Sequence, residues 1–207
     1  MAINPAGDKL YTLLEGPLIP DADQKRLIIN EFSIDTERYT GRTFGYQLDP
    51  LGTNIGDMTA INDHEFLVIE RNGLQDAANP GIFKKVFKID LSKVDANGFA
   101  EKTLVVDLMD IADPDDLNGD GKTKFDFPFV TIEDVLILDT NTLLVINDNN
   151  YPGNGGRNLA GPDATEFIQI RLDTPLDVSP VPEPGTYALM LAGLAGMGLV
   201  ARRRGTR

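Results

Sequence analysis

Cysteine is missing from this 207-residue chain, so neither disulfides nor thiolate metal sites are open to it. Tryptophan is missing too, and histidine occurs once, at His64. Serine occurs at Ser33, Ser92 and Ser179 only, with no Gly-x-Ser-x-Gly elbow around any of them. A Ser-His-Asp relay within the chain is thereby disfavoured. Positive charge is scarce: 19 basic residues stand against 32 acidic ones, for a net charge of −13. The segment from Val181 onward holds four arginines and one glutamate, which leaves the preceding body with 15 basic and 31 acidic residues and a net charge of −16. Such a body repels phosphate backbones, which argues against a nucleic-acid partner, and it suits a divalent cation better. The run Gly153-Asn154-Gly155-Gly156-Arg157 lacks the Lys-Ser/Thr ending and following helix of a P-loop, so it reads as an ordinary loop. Met1-Ala2-Ile3-Asn4-Pro5 has neither a basic start nor an apolar run, unlike a secretory signal peptide. No amphipathic helical period precedes the C-terminal tail.

What the chain does have is repetition. Ala2 to Glu15, Thr59 to Glu70 and Leu136 to Asn147 each read as a strand, a polar turn and a second strand ending in a polar residue: Glu15, Glu70 or Asn147. A third strand follows each, at Arg26 to Phe32, Lys85 to Leu91 and Glu166 to Leu172. Fourth strands are expected at Thr43 to Leu48 and Lys102 to Leu108. The third copy reaches a proline-rich stretch without one, and the polar insertion Asp110 to Pro128 separates the second copy from the third. Repeated four-stranded antiparallel units are the signature of propeller blades. The expected fold is therefore all-β, a partial β-propeller of about three blades over residues 1–175, then a linker over 176–185 and an apolar helix over 186–207. Blades bury their faces only against neighbours, and known propellers use at least four. The chain is accordingly expected to be the C-terminal part of a longer protein, and in isolation to aggregate or pair with another copy.

The tail has its own logic. Pro182-Glu183-Pro184 precedes an uncharged run from Thr186 to Ala201, and Arg202-Arg203-Arg204 closes it. As a helix that run would span about 24 Å, slightly less than a ~30 Å hydrocarbon core, and the arginines favour a cytoplasmic end. This order resembles the PEP-CTERM sorting signal of Gram-negative bacteria. The resemblance implies export, an inner-membrane intermediate, processing by an exosortase-type enzyme, and a final place on the cell surface or in the extracellular matrix.

The body resembles a second family through Ile55-Gly56-Asp57-Met58, Phe66 to Arg71, Lys85 to Leu91, Asp110 to Pro114, Phe127 to Val135, Asn147 to Pro152 and Thr165 to Leu172. In order and in wording these are similar to the phytase-like proteins described by an "esterase-like activity of phytase". That resemblance implies an exported hydrolase of phosphoesters or carboxylic esters, with Ca²⁺ as the candidate cofactor and a small ester as substrate. The alternatives are a non-catalytic surface-binding propeller and an inactive remnant.

Candidate residues come from places where strands of successive copies converge. Asp57, and Glu133 with Asp134, stand at the starts of inner strands, where carboxylates can ligate Ca²⁺ or merely accept backbone donors. Asp57 and Glu133 are the expected catalytic pair. Glu15, Glu70 and Asp148 stand at second-strand ends, and Glu70 and Asp148 are the expected metal ligands. Arg71, Asn147, Asn149 and Arg157 are the expected substrate contacts, with turn chemistry as the plainer reading of the asparagines. Asp116-Leu117-Asn118-Gly119-Asp120-Gly121 matches the first half of a Ca²⁺ loop, but position 12 is Phe127 where a bidentate glutamate is wanted.

Overall fold

The computed structural model describes residues 1–153 and 155–179. The tail expected to form the sorting helix lies outside the described residues. Among those described there are thirteen strands and no helix. The first sheet is β1 (Ala2–Ile3), β2 (Lys9–Leu13), β3 (Arg26–Ser33) and β4 (Arg38–Gln47). The second is β5 (Asn54–Ala60), β6 (Glu65–Arg71), β7 (Lys84–Val94) and β8 (Ala100–Asp107). After a small hairpin of β9 (Ile111–Ala112) and β10 (Lys124–Phe125), the third sheet follows as β11 (Thr131–Asp139), β12 (Thr142–Asp148) and β13 (Phe167–Arg171). All three sheets are antiparallel meanders in sequence order.

Side-chain alternation decides the layering. In β6 every residue is buried, because Phe66 and Val68 enter a core with the first sheet while Leu67 and Ile69 enter a core with the third. The second sheet is thus sandwiched, and its sequence reads as a continuous apolar run. The first core joins Tyr11, Leu27, Ile29, Phe44 and Tyr46 to Ile55, Met58, Phe66, Val68 and Ile89. The second joins Leu67, Ile69, Val86 and Val106 to Val135, Leu143, Val145 and Ile170. The insertion before the third sheet is less polar than its sequence suggests: Phe127 at its end and Phe129 just beyond it are fully buried in the second core, ring edge to ring face.

The repeats hold, with a slip of one residue in the first copy. Asn4 Oδ1 accepts the Lys9 amide just as Asn62 Oδ1 accepts the Glu65 amide. That equates Lys9 with Glu65 and therefore Glu15 with Arg71, not with Glu70 as the sequence comparison has it. The first turn is two residues longer, and sequence similarity alone does not register that. In the third copy the pairing Thr131↔Asp148 matches Asn54↔Arg71, so Asp148 is the third equivalent position.

Candidate functional site

The first strands of the second and third sheets, β5 and β11, carry a β-bulge at the same height. In β5 it spans Gly56 and Asp57, between the pairs Ile55↔Glu70 and Met58↔Val68. In β11 it falls at Glu133, between Ile132↔Asn147 and Asp134↔Ile146. Bulges re-aim side chains, and these two turn Asp57 and Glu133 toward one cleft between the sheets. Gly56 makes the approach possible: a Cβ there would overlap the carbonyl oxygen of Ile132. The cleft holds about 120 Å³ and is lined by Leu13, Glu15, Ile55, Gly56, Asp57 and Glu133.

Arg71, from the end of β6, pairs with two carboxylates of the cleft. Its Nη2 lies 2.9 Å from Glu133 Oε1 and 3.6 Å from Glu15 Oε1, so one guanidinium ties groups from all three sheets. The arginine is buried, and its Nε has no hydrogen-bond partner. Glu133 is half-buried. Desolvation raises its pKa, Arg71 offsets part of that rise, and the charges of Glu15 and Asp148 add to it. Asp57 is more occupied: its Oδ2 accepts the Val135 amide at 3.2 Å and the Thr59 hydroxyl at 3.1 Å.

Behind Arg71 sits a residue that sequence reasoning missed. Lys84 pairs with Arg71 across β6 and β7, is fully buried, and donates from Nζ to the Asn72 carbonyl. Burial and the neighbouring Arg71 charge lower its pKa to about 7. The signal was present in principle, since Lys84-Lys85 opens a strand whose first residue faces inward.

The remaining candidates fall elsewhere. Glu70 points to the opposite face of β6, where the Tyr46 hydroxyl (2.5 Å), the Asp49 amide (2.6 Å) and Lys102 Nζ saturate it at zero exposure. Asp148 lies at the exposed end of β12, with Oδ1 accepting the Asn150 amide. Asn147 and Asn149 hold the 149–166 loop, donating to the carbonyls of Ala164 and Asp163. Arg157 clamps that loop through Asp126 and Glu166, over the rings of Phe125 and Phe129. Asp134 is exposed. In the 116–121 loop, Asp116 accepts the Gly121 amide, Asn118 the Asp120 amide and Asp120 the Lys122 amide. Pro182, Glu183, Pro184 and Arg202 to Arg204 lie outside the described residues.

Comparison with known sequences adds two findings. The family profile "esterase-like activity of phytase" (phytase-like) matches residues 1–151. The PEP-CTERM protein-sorting motif matches residues 180–204. No curated protein and no solved structure matches the chain.

Proposed function

The chain belongs to the phytase-like family and carries a PEP-CTERM motif that implies export and recognition by an exosortase; on that premise we propose that it is a surface-sorted ester hydrolase working from the Glu133–Arg71 cleft. We read its three meanders as blades of a propeller, with the first strands β1, β5 and β11 running side by side as inner strands. After release of the tail segment, the body would reside at the cell surface or in the matrix.

One observation carries the catalytic reading: Glu133 is a half-buried carboxyl of raised pKa, in a cleft, 2.9 Å from a buried guanidinium. A carboxylate pushed toward neutral pH is a better general base. Glu133 takes a proton from water as that water attacks the acyl carbon. Arg71 faces the oxyanion that forms. Collapse expels the alkoxide, which recovers the proton from Glu133, giving acid and alcohol. Charge selects among esters. Three carboxylates, Glu15, Asp57 and Glu133, line the cleft and one arginine pairs with two of them, so a phosphate monoester enters against repulsion while a neutral carboxylic ester does not.

Calcium is not built into this mechanism. Among the described residues no group of three His, Cys, Asp or Glu side chains is placed to hold a metal ion, and Arg71 already sits between Glu15 and Glu133. A second reading rests on the same arginine: by bridging three sheets it acts as a mechanical tie in a non-catalytic binding module.

The test is hydrolysis of p-nitrophenyl acetate and p-nitrophenyl phosphate by the full chain, with added Ca²⁺ and with chelator. Glu133→Gln should lower turnover of the acetate by about 100-fold or more while the fold is kept. Equal rates for wild type and variant would leave only the tie. A rate on phosphate that exceeds the acetate rate and vanishes with chelator would return the cation to the mechanism.

A further inference from the structure

Downstream of β13 the chain does not leave the body at once. Residues 172–179 run as a strap across the turn ends of the third and second sheets. The amides of Leu172 and Leu176 donate to the carbonyls of Asn141 and Thr140, both at 2.7 Å, in the turn between β11 and β12. The Ser179 amide donates to the Ile61 carbonyl at 3.0 Å, and Asn62 Nδ2 donates to the Asp177 carbonyl at 3.0 Å, in the turn between β5 and β6. Leu172 and Leu176 are buried in the second core, and Val178 packs against it. The strap thus caps that core at the strand ends remote from the Glu133–Arg71 cleft, since the length of β6 from Glu65 to Arg71 amounts to about 20 Å.

The sorting motif matches from residue 180, directly after Ser179. Pro180, Pro182 and Pro184 have no N–H, so the donated amides that dock the strap have no counterpart at these positions. From Ser179 to Pro182 the chain can reach at most about 11 Å. An enzyme that grips Pro182-Glu183-Pro184 while the strap stays docked therefore works against this end of the body. Asp63, Asp139, Asp173 and Asp177 are exposed there, which fits a basic rim on that enzyme. We propose that the turn end of the second and third sheets, with residues 172–179 docked on it, is the face that the body presents to its exosortase-type partner. Hydrogen bonds to both sheets fix the exit point of the motif, and the cleft is held at the far end, clear of the enzyme. The proposal rests on the sorting motif and is independent of the hydrolytic reading.

Crosslinking of the full chain to a purified exosortase in nonionic detergent tests it. The chain has no cysteine, so a single introduced thiol carries a short photo-crosslinker at a known place. Asp177→Cys, on the strap, reports engagement of the motif. Asp63→Cys, on the body beside the exit point, should give an adduct of similar yield, and Glu15→Cys, at the cleft, should give none. Ser179→Pro removes the donor to the Ile61 carbonyl, and Leu176→Asp puts a charge where the strap meets the core. Either change should cut the Asp63 adduct severalfold and leave the Asp177 adduct in place. An Asp177 adduct without an Asp63 adduct overturns the proposal, because the strap then peels away to meet the enzyme. So does an equal adduct from Glu15, an Asp63 adduct unmoved by both strap variants, or no adduct from any position. Circular dichroism checks the β-sheet signal of each variant. If Leu176→Asp fails to fold, Ser179→Pro, which removes no core side chain, carries the same reading.

Discussion

Two neighbours on one strand, Glu70 and Arg71, face opposite interfaces and live by different rules. Glu70 looks toward the first sheet, has zero exposure, and has each oxygen bonded: to the Tyr46 hydroxyl, the Asp49 amide and Lys102 Nζ. Lys102 is itself held over the rings of Tyr46 and Phe87. Arg71 looks toward the third sheet, shares its charge with partly exposed Glu133 and Glu15, and leaves Nε unpartnered. A closed polar cluster has no capacity left for a ligand, whereas an incompletely paired one does. The interface with the first sheet is a joint, and the interface with the third sheet holds the candidate site.

The largest expected effect breaks the joint. Glu70→Ala strands a buried ammonium and should destabilise the fold by about 3–5 kcal/mol, read by denaturant unfolding. Glu70→Leu with Lys102→Met should recover most of that loss, since apolar residues of similar volume often replace a buried pair at little cost. If both variants were equally damaged, the pair would matter through its hydrogen bonds to Tyr46 and Asp49 and not through its charge. Gly56→Ala comes next. It forces β5 and β11 apart at Ile132 and should cost about 3 kcal/mol, at the upper end of overpacking, while moving Glu133 away from the cleft.

Much of this contrast was legible before the structure, and the failures are instructive. Alternation of apolar residues marked the strand triplets, and turn residues marked their limits. The slip that separates Glu70 from Arg71 was not legible, because a one-residue shift inverts every facing while leaving composition intact. Glu133 and Asp57 were found because both precede apolar runs, but the bulges that aim them have no sequence mark beyond Gly56. Phe127 was hidden at the end of an acidic insertion, and Phe129 just beyond it. Asn147, Asn149 and Arg157 looked like ligand contacts because polar residues at a rim serve loops and ligands alike, and only the backbone path shows that they hold the 149–166 loop.

Lys84 sharpens the comparison on the Arg71 side. A fall from the ordinary 10.5 to about 7 amounts to roughly 5 kcal/mol in favour of the neutral amine. Because the folded pKa is the lower one, the unfolded chain binds the extra proton between pH 7 and about 10. Stability should therefore rise with pH across that window. Lys84→Met removes the slope. At pH 7 it should stabilise by roughly 2 kcal/mol after losing the bond to the Asn72 carbonyl, which is worth about 1–3 kcal/mol. A flat wild-type profile from pH 7 to 10 would mean that Lys84 keeps its proton in the fold.

The smallest effect on stability is expected at Glu15, and it separates tie from site most finely. Glu15 is 67% exposed and lies 3.6 Å from Arg71, so Glu15→Gln should change stability by no more than about 0.5 kcal/mol. Its charge nonetheless helps raise the pKa of Glu133. Removing that charge eases ionisation of Glu133 and frees Arg71 to pair with it alone, so the Glu133 titration should move toward acid. Carboxyl-carbon NMR of the folded chain reads that shift directly, and the pH dependence of ester hydrolysis should follow it in the same direction. An unmoved titration would mean that solvent screens Glu15 from the cleft, leaving Arg71 and burial as the groups that set the base.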